Sequence, residues 1–507
     1  MTARWTPTTG AAACVRIALC LLLLNGCTVG PVYRPPDVAT PAQWRAPVPT
    51  SAATATDVEV LASWWEQFHD PKLDELVAVA LHDNLDIQTA GERIVQARAQ
   101  RDEVAGARWP SASGTGRAYR VKLPDSVGDL TQPQPASGTA PASGSSLQLP
   151  SYLNLYQLGF DTSWELDLFG QTRRAVESAN ASAEAAEAAR RGVIVATLAE
   201  LGNDYLSLRS GQVRLAIALH NIEIDRSLLE LTRSRHLSGM ASDLDVAQAN
   251  AQMQTAEANP PMLRAQILQS SHAIAVLLGR LPESMEDDFP ASDAATDAGT
   301  ATDAVPVIPA GLPSELLQNR PDIQQAEREL ASATAAVGQA QAQRFPSISL
   351  TAGTDFVSTQ LDQLLHRGSW NWDVGASLTA PIFEGGRLAA NQRAAEAAAR
   401  QSVLQYRHTV LQAFGETEDA LQGYAAATAQ RTALGQAVLS QQLALARATQ
   451  LYQAGMSSFI DVLDAQRSVA DIEDQAAQSQ QQQATALVGI YKALGGGWQP
   501  TGPRRGS

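Results

Sequence analysis

The chain repeats itself, and that constrains it more than any single motif. Gly239-Met-Ala-Ser-Asp-Leu-Asp-Val and Gly455-Met-Ser-Ser-Phe-Ile-Asp-Val share one pattern 216 positions apart. A glycine, a serine two or three residues on, then Asp-Val opening an apolar-periodic run reads as a break between two helices. Other pairs keep step. Asp86-Ile-Gln and Asp322-Ile-Gln lie 236 apart, as do Arg108-Trp-Pro-Ser and Arg344-Phe-Pro-Ser. Residues 158–169 match 372–383 at 214, and Leu278-Gly matches Leu494-Gly at 216. The offset changes at two places only. Low-complexity residues 124–147 account for 22 extra positions in the first half, and two extra fall near Gly385-Gly386 in the second. Offsets held this long predict a duplicated architecture whose halves interlock.

Bulk properties exclude more than they select. At 507 residues and a formal charge of −15, the chain lacks the basic footprint that nucleic acid requires. All three cysteines, Cys14, Cys20 and Cys27, fall within the first 27 residues, so no disulfide framework exists. The seven His are scattered and no Gly-rich phosphate loop is present. Nothing converges into an enzyme's polar site, a metal centre or a cofactor cradle.

The first residues read as an export signal. Arg4 and Arg16 precede the apolar run 17–24, which meets Asn25-Gly26-Cys27. That run is too short to span a bilayer. Leu24-Asn-Gly-Cys27 resembles the bacterial lipobox, in which the cysteine is acylated and becomes the first mature residue; Thr28 after it implies sorting to the outer membrane. The other reading is an ordinary signal with an incidental cysteine.

The organisation expected is a signal peptide over 1–26, an extended lipid-anchored strap over 27–62, a first repeat over 63–282, an acidic linker of loop over 283–312, a second repeat over 313–498 and a tail over 499–507. Helices are predicted at about 71–81 and 84–108, the latter stopping before Pro110. The period then changes to two. Tyr119, Val121 and Leu123 alternate with Arg120 and Lys122. Tyr156, Leu158, Phe160, Thr162, Trp164, Leu166 and Leu168 alternate with six polar or small residues. Ile348, Leu350, Ala352 and Phe356 mark a third strand, and Trp370 to Ile382 repeats the alternation as a fourth. Such strands suit the wall of a membrane β-barrel or a half-buried soluble sheet. The export signal tilts the balance to the barrel. Four strands cannot close one, the smallest having about eight, so the chain must oligomerise on this reading.

Very long helices follow each strand pair, at about 172–236 and 388–453, each on the order of 100 Å. Ile194, Leu198, Leu201, Tyr205, Leu208, Leu215, Leu219, Ile222 and Leu229 keep heptad spacing in the first, and Leu434, Val438, Leu445, Ala448 and Tyr452 in the second. Return helices run over 244–278 and 460–494; Pro260-Pro261 must break the first, where the second has alanine. A structural coiled-coil lipoprotein would explain the helices and the anchor, but not four alternating strands.

Taken with the lipobox, the order helix-strand-strand-helix twice over, Asn319-Arg-Pro-Asp-Ile323, Phe383-Glu-Gly-Gly-Arg387 and the tip Asp461-Val-Leu-Asp464-Ala-Gln resemble one family over about 60–498. The chain resembles the TolC-like outer-membrane factors of tripartite efflux systems, in their NodT-type lipoprotein branch. The resemblance implies a mixed fold: a membrane β-barrel with four strands per chain, continued by a long α-helical coiled-coil barrel in the periplasm, assembled as a homotrimer. It implies an exit duct for drugs or toxic compounds, with a periplasmic adaptor and an inner-membrane RND-type transporter as partners and outer-membrane lipid around the barrel. A protein-secretion conduit is the alternative, which the lipobox disfavours. The first surface loop departs from the family in its length and low complexity.

Candidate site residues follow. Cys27 is the lipidation site. The adaptor is expected to grip the tips at 237–240 and 454–457, through Gly239, Met240, Gly455 and Met456; simple helix capping is the competing role for both glycines. Asp243, Asp245, Asp461 and Asp464 crowd the tips. Asp245 and Asp461 each follow a serine by three, which is a capping pattern. Asp464 stands where the first repeat has Gln248, so capping does not account for it. The resemblance places a gate at Asp464 and Tyr452, with Asp461 lining the approach; a solvated outer face is the alternative for these acids.

Overall fold

A computed structural model describes residues 28–47, 58–122, 152–285, 288–289, 308, 311 and 313–499. The signal peptide, Cys27, the low-complexity loop over 124–147 and most of the acidic linker lie outside the described residues. Two compact units are present, each assembled from three segments of chain and each drawing on both halves of the sequence.

The first unit (residues 1–34, 98–181 and 331–400) holds the sheet. Strands β1 (Ser111–Lys122), β2 (Tyr152–Leu166), β3 (Ser347–Ser358) and β4 (Trp370–Thr379) lie in the order β1-β2-β3-β4, every pair antiparallel. The central joint, β2 with β3, is made between the two halves of the sequence, with Trp164 opposite Leu350 and Leu158 opposite Phe356. Strand parity then decides the faces. Tyr156, Leu158, Phe160, Trp164 and Leu166 share one face with Ile348, Leu350, Phe356, Trp370, Trp372, Val374 and Leu378, and with the small residues Ala112, Gly114, Gly116 and Ala118 of β1. From Tyr156 to Leu166 that face spans roughly 33 Å along the strand, or roughly 25 Å of height at a barrel-like tilt.

Two sequence expectations change here. The predicted alternation through Ala380 and Ile382 is cut short, because Pro381 has no N–H to give a ladder and β4 ends at Thr379. In β1, Tyr119 and Val121 do not join the apolar face. The register pairs them with Leu155 and Leu153, on the face of Gln157 and Asp161, while Arg120 and Lys122 continue the apolar one. Alternation along one strand gives period but not sidedness; only the partner strand supplies that.

At the foot of the sheet Phe169 stacks on Phe345, 4.8 Å between ring centres, and Trp164 Nε1 donates to Arg108 O at 3.0 Å. The strap begins here. Val29 N donates to Phe169 O at 3.1 Å, and the buried Arg174 donates through Nε to Val29 O (3.2 Å) and through Nη2 to Gly30 O (3.3 Å). Gly30 adopts φ +104°, and a Cβ there would lie 2.4 Å from Gly338 Cα. Only glycine fits.

The second unit (residues 35–97, 182–330 and 401–507) is helical. Helices α1 (Pro71–Asp83), α2 (Leu85–Gly106), α3 (Gln171–Leu237), α4 (Asp243–Glu257), α5 (Pro260–Leu277), α7 (Arg387–Gln453) and α8 (Phe459–Ala493) appear close to where the sequence predicts them, and α6 (Pro321–Ala342), outside the predicted helix ranges, starts 236 positions after α2. Some of them, α3 and α7 included, continue into the first unit. The first return helix is broken before Pro260-Pro261, and α8 runs unbroken for 35 residues. Not every heptad position is buried: Leu198, Leu201 and Leu208 are inaccessible, while Leu219 is exposed.

Trp64 anchors the core, stacked on Tyr491 at 5.5 Å and edge-on to Trp65 and Phe68. Two joints are chemically parallel. Asn84, which caps α2 through Oδ1 to Asp86 N and Ile87 N, donates its amide to Leu277 O at 2.8 Å. Arg320, immediately before α6, donates to Ala493 O at 2.9 Å while pairing with Asp322 (2.7 Å) and Glu416 (2.6 Å). Asn84 and Arg320 are 236 apart and their acceptors 216 apart, the same offsets as the motifs. The strap's Trp44 lies tilted against Phe414, and the backbone N–H groups of Arg45 and Ala46 both donate to Glu418, each at 2.8 Å. The described ends of the linker are not all loop: Pro282–Met285 form a 3-10 turn with Met285 buried, and Ile308 is buried too.

Candidate functional site

Both hairpin tips are built by one local code. At the end of α3, Gly239 N donates to His236 O and Met240 N to Arg235 O; at the end of α7, Gly455 N donates to Tyr452 O and Met456 N to Leu451 O. These paired bonds with a left-handed glycine form a Schellman motif. Both glycines sit at φ +73°, with open space where a Cβ would be. Their requirement is conformational, not steric. Capping boxes then restart the chain. Asp245 accepts from Ser242 N (2.8 Å) and Oγ (2.9 Å), and Asp461 from Ser458 N (3.0 Å) and Oγ (2.8 Å). The Ser458 hydroxyl and N–H hold the Asp461 carboxyl below the usual carboxylate range.

The tips differ in what stands beside that backbone. In the first, His236 Nε2 lies 3.3 Å from Asp243 and its Nδ1 lies 3.1 Å from Ala241 O. The positions 216 further on are Tyr452 and Phe459, and these pack ring to ring at 5.7 Å. Tyr452 is buried in a cluster with Leu229, Ala249, Phe459, Val462 and Leu463. Arg235 spans the two hairpins, its guanidinium 4.4 Å from the Tyr452 ring centre and its Nη1 donating to Tyr452 O at 3.0 Å. Burial pushes the Tyr452 phenol up, and the Arg235 cation opposes that shift.

Sequence reasoning put Tyr452, Asp461 and Asp464 together. Within one chain Tyr452 faces the packed cluster, whereas Asp461 and Asp464 are exposed. Among the described residues Asp464 carries no ion pair. Met240 and Met456 are exposed, as are Leu237, Leu244 and Ile460, so the tips present apolar side chains to their surroundings. Sequence reasoning missed Arg235, and it missed a polar network in the stem. There the buried Asp225 accepts from Gln252 Nε2 (3.5 Å), and Arg467 Nε donates to Gln252 Oε1 (2.7 Å). Burial raises the Asp225 carboxyl, offset in part by Gln252 and Arg467. The signal was available: Arg235 and His236 break the repeat at Leu451 and Tyr452, as Asp464 breaks it at Gln248.

Comparison with known proteins bears on this arrangement. The profile of the family described as outer membrane efflux protein matches residues 76–280 and 312–496. The solvent efflux pump outer membrane protein SrpC of Pseudomonas putida is 32% identical over 485 residues, covering 94% of this chain and 97% of the relative. Nodulation protein T of Rhizobium leguminosarum bv. viciae is 33% identical over 481 residues, covering 94% and 92%. Among solved structures, the outer-membrane channel OprN superposes with a TM-score of 0.81 at 36% identity, over 94% of this chain and all of that one. CusC superposes with a TM-score of 0.77 at 27% identity, over 93% of this chain and all of that one.

Proposed function

The chain belongs to the outer membrane efflux protein family, and on that premise we propose that it is the outer-membrane exit duct of a tripartite efflux pump. It passes small molecules, drugs or toxic compounds among them, from a periplasmic adaptor and an inner-membrane RND-type transporter to the exterior. One observation carries the reading: a four-stranded sheet with an apolar, solvent-exposed face and an outer edge on β1 and on β4 that no described strand covers. An uncovered edge is a template for pairing with another chain. Three copies joined β4 to β1 give a twelve-stranded barrel in a homotrimer. Exposed Leu404, Leu411, Leu439 and Leu443 on α7 offer apolar contacts to a neighbouring copy. Efflux-pump relatives support this reading over a protein-secretion conduit. Phe160→Arg, near the middle of the apolar face, tests it, costing roughly 2–4 kcal/mol of insertion near mid-membrane, with Trp164→Arg or Leu166→Arg nearer its lower end costing less. A monomer in detergent that still conducts ions would overturn it.

The organisation proposed is the one expected from sequence, with repeats over 63–282 and 313–498. Cys27 is its acylated residue, and Thr28 beside it packs on Gly170 at the foot of the sheet. Fatty-acid labelling should mark the wild type and spare Cys27→Ser. The adaptor takes the tips through Gly239, Met240, Gly455 and Met456, whose exposed methionines suit a partner surface. The gate is at Asp464 and Tyr452, with Asp461 on the approach: a three-fold assembly repeats each exposed acid as a ring favouring cations, and Tyr452 sets the helix positions from inside the cluster. Asp464→Ala should weaken cation preference in planar bilayers, and Tyr452→Ala added to it should raise conductance. Unchanged selectivity and conductance in assembled trimers would remove the gate from this site.

A further inference from the structure

The β1–β2 ribbon runs on past the rest of the sheet. β3 ends at Ser358, opposite Tyr156, and beyond that point Tyr119, Arg120, Val121 and Lys122 pair only with Leu155, Asn154, Leu153 and Tyr152. The faces exchange character there. The polar side of the sheet becomes Tyr119, Val121, Leu153 and Leu155, and the apolar side becomes Arg120, Lys122, Tyr152 and Asn154. We propose that Arg120 and Lys122 form a headgroup-binding rim that holds phosphate-bearing anionic lipids at the outer surface of the membrane. The inference rests on the barrel reading, in which the apolar face meets lipid.

Charge placement carries the argument. Among the described strand residues of the apolar face, Arg120 and Lys122 are the only charged side chains, and both stand at one end. The acids Asp161, Glu165, Asp355 and Asp373 all point to the opposite face. In a chain of net charge −15 this separation sets two cations apart from carboxylates. Neither forms an ion pair among the described residues, and both are exposed. Arg120 is held, not loose: its guanidinium lies 4.9 Å from the ring centre of Tyr152, the diagonal neighbour across the ribbon and the direct partner of Lys122. The contact holds an exposed guanidinium whose planar donors a phosphate can take two at a time. Lys122 adds a point charge beside it. Aromatic residues marking the edge of an apolar belt, with basic residues just beyond, are what an anionic interface recognises.

The test inserts the full-length protein into phosphatidylcholine vesicles containing phosphatidylglycerol, extracts it mildly and counts each lipid retained per chain by mass spectrometry. Wild type should retain phosphatidylglycerol preferentially. At about fivefold per basic residue, Arg120→Gln with Lys122→Gln should lower that preference roughly 25-fold. The swap Arg120→Lys with Lys122→Arg should keep most of it. Insertion and protease resistance equal to wild type would show that the neutral variant folds. Unchanged lipid preference in an inserted variant would overturn the proposal. So would full displacement of the lipid by inorganic phosphate at matched concentration, which would make this a free-anion site. Failure of the wild type to insert at all would instead strike the barrel reading beneath it.

Discussion

The two hairpin tips share a backbone and divide the work. Each closes with a left-handed glycine and a capping box, at the same spacing and with the same hydrogen bonds. Around that frame the first tip places the polar pair His236 and Asp243, and the second places Tyr452 against Phe459. One tip is solvated. The other is the packed point at which four helices meet. A duplicated turn can therefore keep its conformation through local chemistry while its side chains diverge, because capping energy resides in the turn and packing energy in its neighbours.

Removing the aromatic should separate the tips most. Tyr452→Ala should lower protection of amides around 452–463 by about 3 kcal/mol in hydrogen exchange, the scale for losing a large buried ring. His236→Ala should cost the first tip under about 1 kcal/mol, as for an exposed pair. Equal losses would break the comparison. The glycines should do the opposite. Gly239→Ala and Gly455→Ala should each cost about 1 kcal/mol, since both take the same left-handed conformation and neither is crowded. Unequal costs would show that one turn is held by more than its backbone.

Acidity gives the smallest effects and the finest distinction. Asp461 has a lowered folded pKa, so its stabilisation is present above the unfolded value of 3.8 and fades as pH falls through the folded one. Asp461→Asn should flatten that acid limb in the exchange profile of the second turn. Asp225 has a raised pKa, so its charge opposes folding increasingly as pH rises from 3.8 through the folded value. Asp225→Asn should stabilise the stem at pH 7 and change nothing below about pH 3. A stabilisation independent of pH would refute the burial argument.

Much of the fold was legible because repetition and period are properties of one chain. Offsets of 216 and 236 located both turns, and alternation located all four strands. What could not be read depends on partners distant in sequence. Tyr119 and Val121 kept a clean period and yet lie on the side their sequence did not suggest, since the register with Leu153 and Leu155 decides it. Tyr452 was legible as a heptad position, but its packing on Phe459 and its contact with Arg235 join helices distant in sequence, which the period of one helix does not reveal. Asp461 was readable as a cap from Ser458, because both partners of the capping box lie within four residues of chain.

The strap has a consequence for the order of assembly. Its anchor points, Phe169 O, Arg174 and the bare backbone of Gly338, come from stretches more than 130 residues downstream of Val29 and Gly30. Phe169 and Arg174 stand at the foot of the sheet and Gly338 on α6, so the set is complete only once these have met. The strap therefore completes its contacts only on a foot that has already formed, like a latch thrown after the door has closed. Pulse-labelled refolding should find the Val29 amide among the slowest to gain protection.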